Sequence, residues 1–130
     1  MTSEVFTLEI TVPASAIDAQ GHVNNLIYLE WCLQAAETHW VANTTEAQRA
    51  RYVWFVLRHE IDYKTPAFQG ETVLVRTWVH SADGVKSERR YQIERPSDGK
   101  TLVSASTLWC FLDASTNRPT KITEEIRTLF

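Results

Sequence analysis

Cysteine, glycine and proline are scarce in this 130-residue chain, at two, four and four residues. Cys32 and Cys110 have neither metal-site spacing nor the numbers for a disulfide framework, so they read as buried thiols of a reducing compartment. No glycine-rich phosphate loop, metal-ligand cluster or Ser-His-Asp pattern appears, and neither a metal nor another cofactor is expected. An excess of basic charge is also missing. Thirteen Lys and Arg face sixteen Asp and Glu, a net charge of −3, which argues against a nucleic-acid partner. No apolar run is long enough to span a bilayer, and the opening MTSEVFTLEI lacks the basic flank and apolar stretch of a signal peptide. The expectation is a cytoplasmic protein without a membrane partner.

What the chain does have is large apolar side chains. Five Trp, five Phe and four Tyr need a core or a partner to cover them. No repeat, linker or low-complexity tract divides the chain, so residues 1–130 read as a single domain. Phe6, Leu8, Ile10 and Val12 alternate with polar residues, the period of a half-buried strand that Pro13 ends. From Leu26 to about Val41 the period changes to helical, with Leu26, Leu29, Leu33, Ala36 and Trp40 forming one stripe. Tyr28, Trp31, Cys32 and Ala35 widen it past half the circumference, which predicts a central, largely enclosed helix.

Four strands are predicted next. One places Val53, Phe55, Leu57, His59, Ile61 and Tyr63 on a single face. The others cover Thr72 to His80, Val85 to Arg95 and Leu102 to Leu112, with hairpin turns at SADG and PSDG. Thr120 or Thr123 suits the cap of a short last helix. The expected order is strand, helix and a four-strand antiparallel meander, with the helix packed on one face of a curved sheet.

Between the first strand and the helix lies DAQGHVNN, Asp18 to Asn25. Two readings are open. Asp18 either forms an Asx turn or supplies a carboxylate beside the helix N-terminus, where unpaired N–H groups and partial positive charge collect. Asn24 reads as the helix cap, and Gly21 suits a turn allowing close backbone approach. His22 either orients Asp18 or substrate, or packs the loop. His59 is read chiefly as a core histidine with a functional alternative. Lys86, Arg89 and Arg90 form the one basic cluster, Arg89 on the face opposite the other two. They meet phosphates or else form a solvated edge. Glu30 and Glu37 read as a solvated helix strip.

The block from Asp18 to Trp31, followed by HEIDYKTPAFQGETVLVRTWV (His59 to Val79), resembles the hotdog-fold acyl-CoA thioesterases of the 4-hydroxybenzoyl-CoA thioesterase branch. The likeness runs from about Phe6 to Leu112. It implies an α+β hotdog fold, a curved antiparallel sheet of about five strands around a long central helix, and a homodimer or homotetramer with sites at the dimer interface. It implies hydrolysis of an acyl-CoA substrate, with Asp18 as nucleophile or general base and the Asn25 backbone N–H polarising the carbonyl. His22 matches a catalytic histidine of the plant acyl-carrier-protein thioesterases. Their asparagine two residues after the aspartate is Gln20 here, so the full set does not transfer. Gly21, Asn24, Tyr28, His59, Lys86, Arg89 and Arg90 complete the candidate substrate-contacting set. The rival classes are a hotdog module that binds acyl-CoA without cleaving it and a hotdog dehydratase. A cystatin-type inhibitor shares the coarse element order but lacks its Gln-x-Val-x-Gly loop.

Overall fold

The computed structural model describes residues 4–130. Strand β1 (Phe6–Thr11) leads through a 3-10 turn (Ala14–Ala16) to helix α1 (Asn25–Asn43) and the short α2 (Glu46–Arg51). Strands β2 (Tyr52–Tyr63), β3 (Thr72–Asp83), β4 (Lys86–Arg95) and β5 (Lys100–Asp113) follow. The short β6 (Arg118–Pro119) and α3 (Glu124–Arg127), capped by Thr123, complete the described chain. The sheet is antiparallel in the order β1-β3-β4-β5-β2, with β6 on β5. This curled sheet with its long helix is the expected hotdog architecture.

The meander is shorter than its sequence implies. Only β3, β4 and β5 are joined in succession; β2 pairs with β5, so it lies three strands from β3. Three strand spacings are roughly 14 Å, well within reach of the eight residues from Lys64 to Glu71 at up to about 3.3 Å each. That segment therefore crosses the sheet end instead of turning a hairpin. Arg95 holds it in place. Its guanidinium donates to Pro66 O at 3.2 Å and Glu71 Oε1 at 3.0 Å, and to Asp98 Oδ2 at 2.8 Å.

Strand β2 also departs from its simple alternation. The register with β5 shifts between Val56 and Arg58, and a bulge of one residue reverses every side chain beyond it. Trp54 packs inward on Trp40 and Phe111, as does Ile61 on the main core. Val53, Phe55 and Leu57 point out, Phe55 with 58% of its surface exposed. The single face spanning Val53 to Tyr63 is thus corrected to two faces.

The helix stripe is rotated as well. Tyr28, Trp31, Cys32, Ala35, Ala36 and His39 are buried, whereas Leu26 is 70% exposed. Apolar residues occur on most sides of α1, so period alone could not select the inner one. The inner face meets Val73, Val75, Ile93 and Val103 of the sheet, and each such fully buried side chain contributes about 1.5–3 kcal/mol. A second cluster of Tyr52, Phe111, Ile122 and Ile126 closes the far end. There Arg49 donates to Val41 O and Thr44 O, satisfying carbonyls that the end of α1 leaves open.

Arg95 holds the Asp98 carboxyl below its usual range, chiefly through their hydrogen bonds. A carboxyl depressed in the folded state adds stability above its unfolded pKa and loses it as pH falls through the folded one. Urea titrations from about pH 7 to about pH 3 should show stability falling below the ordinary Asp range near 3.9. Arg95→Gln should be weaker at neutral pH and fall less steeply on acidification.

Candidate active site

Residues 16–24 form a tight loop that delivers the chain to α1. Ile17 bridges Val23, Asp18 N–H donates to His22 O at 3.1 Å, and Asn24 N–H donates to Ala16 O at 2.9 Å. Gly21 N–H closes the turn on Asp18 O at 3.0 Å with φ at +84°, a backbone state that a Cβ disfavours. Asp18 Oδ1 accepts from Gln20 N–H at 2.8 Å, an Asx turn. The turn therefore orients the carboxylate, and Oδ2 makes no hydrogen bond among the described residues. His22 Nδ1 lies 3.2 Å from Val23 O; a carbonyl only accepts, so Nδ1 carries the proton. Among the described residues no hydrogen bond joins His22 to the Asp18 carboxylate.

Asn24 caps α1 as expected, its Oδ1 accepting from Leu26 N–H at 2.9 Å, and its backbone oxygen accepts from Ile27 N–H. Just ahead of these satisfied donors, the Asn25 N–H has no partner among the described residues. It is a free donor at the positive end of a helix of 19 residues. Tyr63, which sequence reasoning placed only on a strand face, donates its hydroxyl to Asn25 O at 3.1 Å. Its ring lies 5.9 Å from that of Tyr28. Tyr28 itself is buried, and its hydroxyl accepts from Ala67 N–H at 2.8 Å. That bond ties the first turn of α1 to the crossing segment, and burial raises the hydroxyl's pKa.

The other candidates lie apart from this loop. His59 Nδ1 contacts Thr107 Oγ1 at 2.8 Å, half-buried, with its pKa lowered by burial. Lys86 and Arg90 are exposed on the outer face of β4, and Arg90 pairs with Glu88 at 2.7 Å. Arg89 points inward and is 7% exposed, so the structure does not gather the three into one phosphate-binding cluster. Glu30 and Glu37 lie exposed on α1. Both cysteines are buried, and burial pushes the Cys32 thiol up to about 12, too high for a nucleophilic thiolate at neutral pH. A cavity of about 410 Å³ opens instead against the C-terminal half of α1; Asp18 and Asn25 are not among its walls. No group of three metal-ligating side chains occurs among the described residues.

Comparison with known proteins follows the same lines. Residues 12–130 match the thioesterase-like superfamily. A chloroplast palmitoyl-acyl carrier protein thioesterase of Arabidopsis thaliana is 29% identical over 85 residues, 65% of this chain and 21% of that protein. A putative acyl-CoA thioesterase of Bacillus subtilis is 26% identical over 115 residues, 85% of this chain and 82% of that protein. The crystal structure of a 1,4-dihydroxy-2-naphthoyl-CoA thioesterase from Synechocystis superposes with a TM-score of 0.85 at 20% identity, covering 97% of this chain and 95% of that one. At that identity the likeness establishes the fold. The chain spans about a fifth of the length of the plant relatives it matches.

Tyr28→Phe keeps the ring and deletes the one acceptor of the buried Ala67 N–H. An orphaned buried donor costs about 1–3 kcal/mol, and chemical denaturation should show a loss of that size.

Proposed function

The chain belongs to the thioesterase-like superfamily, and from that premise we propose that it hydrolyses an acyl-CoA thioester to the free acid and coenzyme A. The observation that carries the reading is the Asp18 carboxylate on a turn leading to a helix N-terminus whose first N–H, that of Asn25, is unbonded among the described residues. Hydrolysis needs a base or nucleophile on one side of the carbonyl carbon and a donor at the carbonyl oxygen. In this scheme Asp18 takes a proton from water as the water attacks, or attacks directly to form an anhydride that water then opens. The Asn25 N–H holds the developing oxyanion, the C–S bond breaks, and the thiolate leaves to be protonated as coenzyme A. A positioned base contributes roughly 10²–10⁴-fold, and an oxyanion donor about 3–4 kcal/mol.

Asn24 and Gly21 hold this loop in shape, with His22 braced on Val23 O. In this scheme Lys86 and Arg90, both exposed, meet the phosphates of coenzyme A from solvent. The same proposal includes a homodimer or homotetramer. Strand β2 ends the sheet with no further strand paired to it among the described residues, and it exposes Val53, Phe55 and Leu57. A free ladder edge beside an apolar row favours pairing with a second copy.

Free-thiol release from short, branched, long and aromatic acyl-CoAs tests the activity. Asp18→Asn should lower the rate at least about 10²-fold with the circular dichroism spectrum unchanged; full activity in that variant would remove Asp18 from the mechanism. Turnover absent across the whole panel, with ligand-dependent stabilisation retained, would favour the binding module.

The donor can be deleted separately. Asn24 has φ −60° and ψ 137°, the extended state preferred before proline, and proline is tolerated at the first helical position. Asn25→Pro should therefore keep the helix, remove the N–H and cost roughly 10²–10³-fold in kcat. Asn25→Ala should leave kcat close to wild type.

A further inference from the structure

The cavity at the far end of α1 has a feature that thioester hydrolysis does not use. Arg89 lines it from β4 and is 7% exposed. Its Nη1 donates to His39 Nδ1 at 2.9 Å and to Thr77 Oγ1 at 3.1 Å. Arginine only donates, so His39 Nδ1 accepts, and the imidazole is neutral with its proton on Nε2. That Nε2–H donates to Glu4 Oε1 at 2.7 Å. His39 is fully buried, and burial lowers its pKa, which keeps the ring uncharged. Glu4, the carboxylate at the end of this relay, is thus separated from Arg89 by a neutral ring.

The other edge of the guanidinium, Nε and Nη2, makes no hydrogen bond to any described residue. His39 and Thr77 do not line the cavity, whereas Arg89 does. Beyond these bonds the guanidinium has the Phe130 ring, its Cζ 5.9 Å from the ring centroid, and burying a cation without a hydrogen-bonded anion is costly. Burial lowers the Arg89 pKa only to about 10, so the charge remains at neutral pH. The Nε–Nη2 edge is the one that grips a carboxylate through two parallel hydrogen bonds. Around it the walls are apolar and aromatic, with Trp40, Trp54, Trp109 and Phe130. Arg49 and Arg127 add positive charge at the lining against one carboxylate side chain, Glu37. About 410 Å³ is a volume that takes a small organic molecule.

We propose that this cavity binds an apolar or aromatic molecule ending in a carboxylate, with the free Nε–Nη2 edge of Arg89 taking the carboxylate and the tryptophans covering the body. Two sources share that chemistry: a free carboxylic acid, or the far end of a long acyl group whose thioester lies at Asn25. Fourteen residues separate Asn25 from His39, about 21 Å along the helix at 1.5 Å per residue, so only a long chain links the two ends. The second source rests on the thioesterase reading; the first does not.

The test begins with the wild-type protein. Tryptophan fluorescence, excited where the ligands do not absorb, follows titration with 4-butylbenzoate and with the neutral 4-butylbenzyl alcohol. The acid should bind at least about tenfold tighter, equivalent to ~1.4 kcal/mol. Arg89→Met should erase that preference while the alcohol still binds, and Arg89→Lys should restore only part of it. Equal wild-type affinity for acid and alcohol overturns the proposal, as does a preference that survives Arg89→Met. Because the first comparison needs no variant, misfolding of Arg89→Met cannot hide the answer. A protein that prefers the acid yet never releases thiol defeats the thioesterase reading and leaves this one standing. Steady-state kinetics then assign the source. A lower KM for hexadecanedioyl-CoA than for palmitoyl-CoA, lost in Arg89→Met, identifies the acyl tail. Equal KM values with Arg89-dependent inhibition by 4-butylbenzoate identify the free acid.

Discussion

Everything in this fold follows from burying one helix against a sheet that curls around it. Helix α1 offers an inner face of Tyr28, Trp31, Cys32, Ala35 and His39, and the sheet answers with small and branched side chains that let it close. The axis of α1 is then set by contacts at both ends. At the start, the Tyr28 and Tyr63 hydroxyls join the helix to the crossing segment and to β2. At the finish, Arg49 covers its last carbonyls and Trp40 stacks on Phe130. With both ends fixed, the loop from Asp18 to Asn24 has little freedom, and its backbone bonds hold the carboxylate by geometry.

Two buried arginines meet the cost of desolvation differently. Arg95 is flanked by Glu71 and Asp98 and reaches a backbone carbonyl as well, so its charge is matched where it sits. It works as a structural clamp between the crossing segment and the β4–β5 turn. Arg89 has a neutral imidazole, a hydroxyl and the face of the Phe130 ring for partners. A side chain that is charged, buried and only half hydrogen-bonded is a poor investment in stability alone, because an apolar residue of similar size stabilises a core at least as well.

Much of this was legible in the sequence, and the misses have physical causes. The alternation of Phe6 to Val12, the turn residues before Gly84 and Gly99, and the Asn24 cap are local signals, and local structure obeys them. Strand pairing is not local. Nothing in Lys64 to Glu71 says whether the chain turns back or crosses, since Pro66 and Gly70 suit either. The bulge at Leu57 adds one residue to β2 without a glycine to announce it. The inner face of α1 was hidden because apolar residues occur on most sides. Within the loop, Asp18, Gly21 and Asn24 were named from their order along the chain, and Asn25 from the resemblance to the thioesterases. Tyr63 and the inward Arg89 network were invisible as partners, because contacts between distant residues depend on a register that spacing does not encode.

The length of α1 separates two tasks. From Asn25 to Trp40 the helix rises about 22 Å, with backbone donors at one end and an aromatic cavity at the other. The atoms at the Asn25 end belong largely to the main chain, so they persist through most substitutions. Those at the Trp40 end are side chains, and each is free to change size. Such an arrangement lets a lineage reshape the cavity while the main-chain geometry at Asn25 stays as it was. Drift in one half of the molecule need not be repaired in the other.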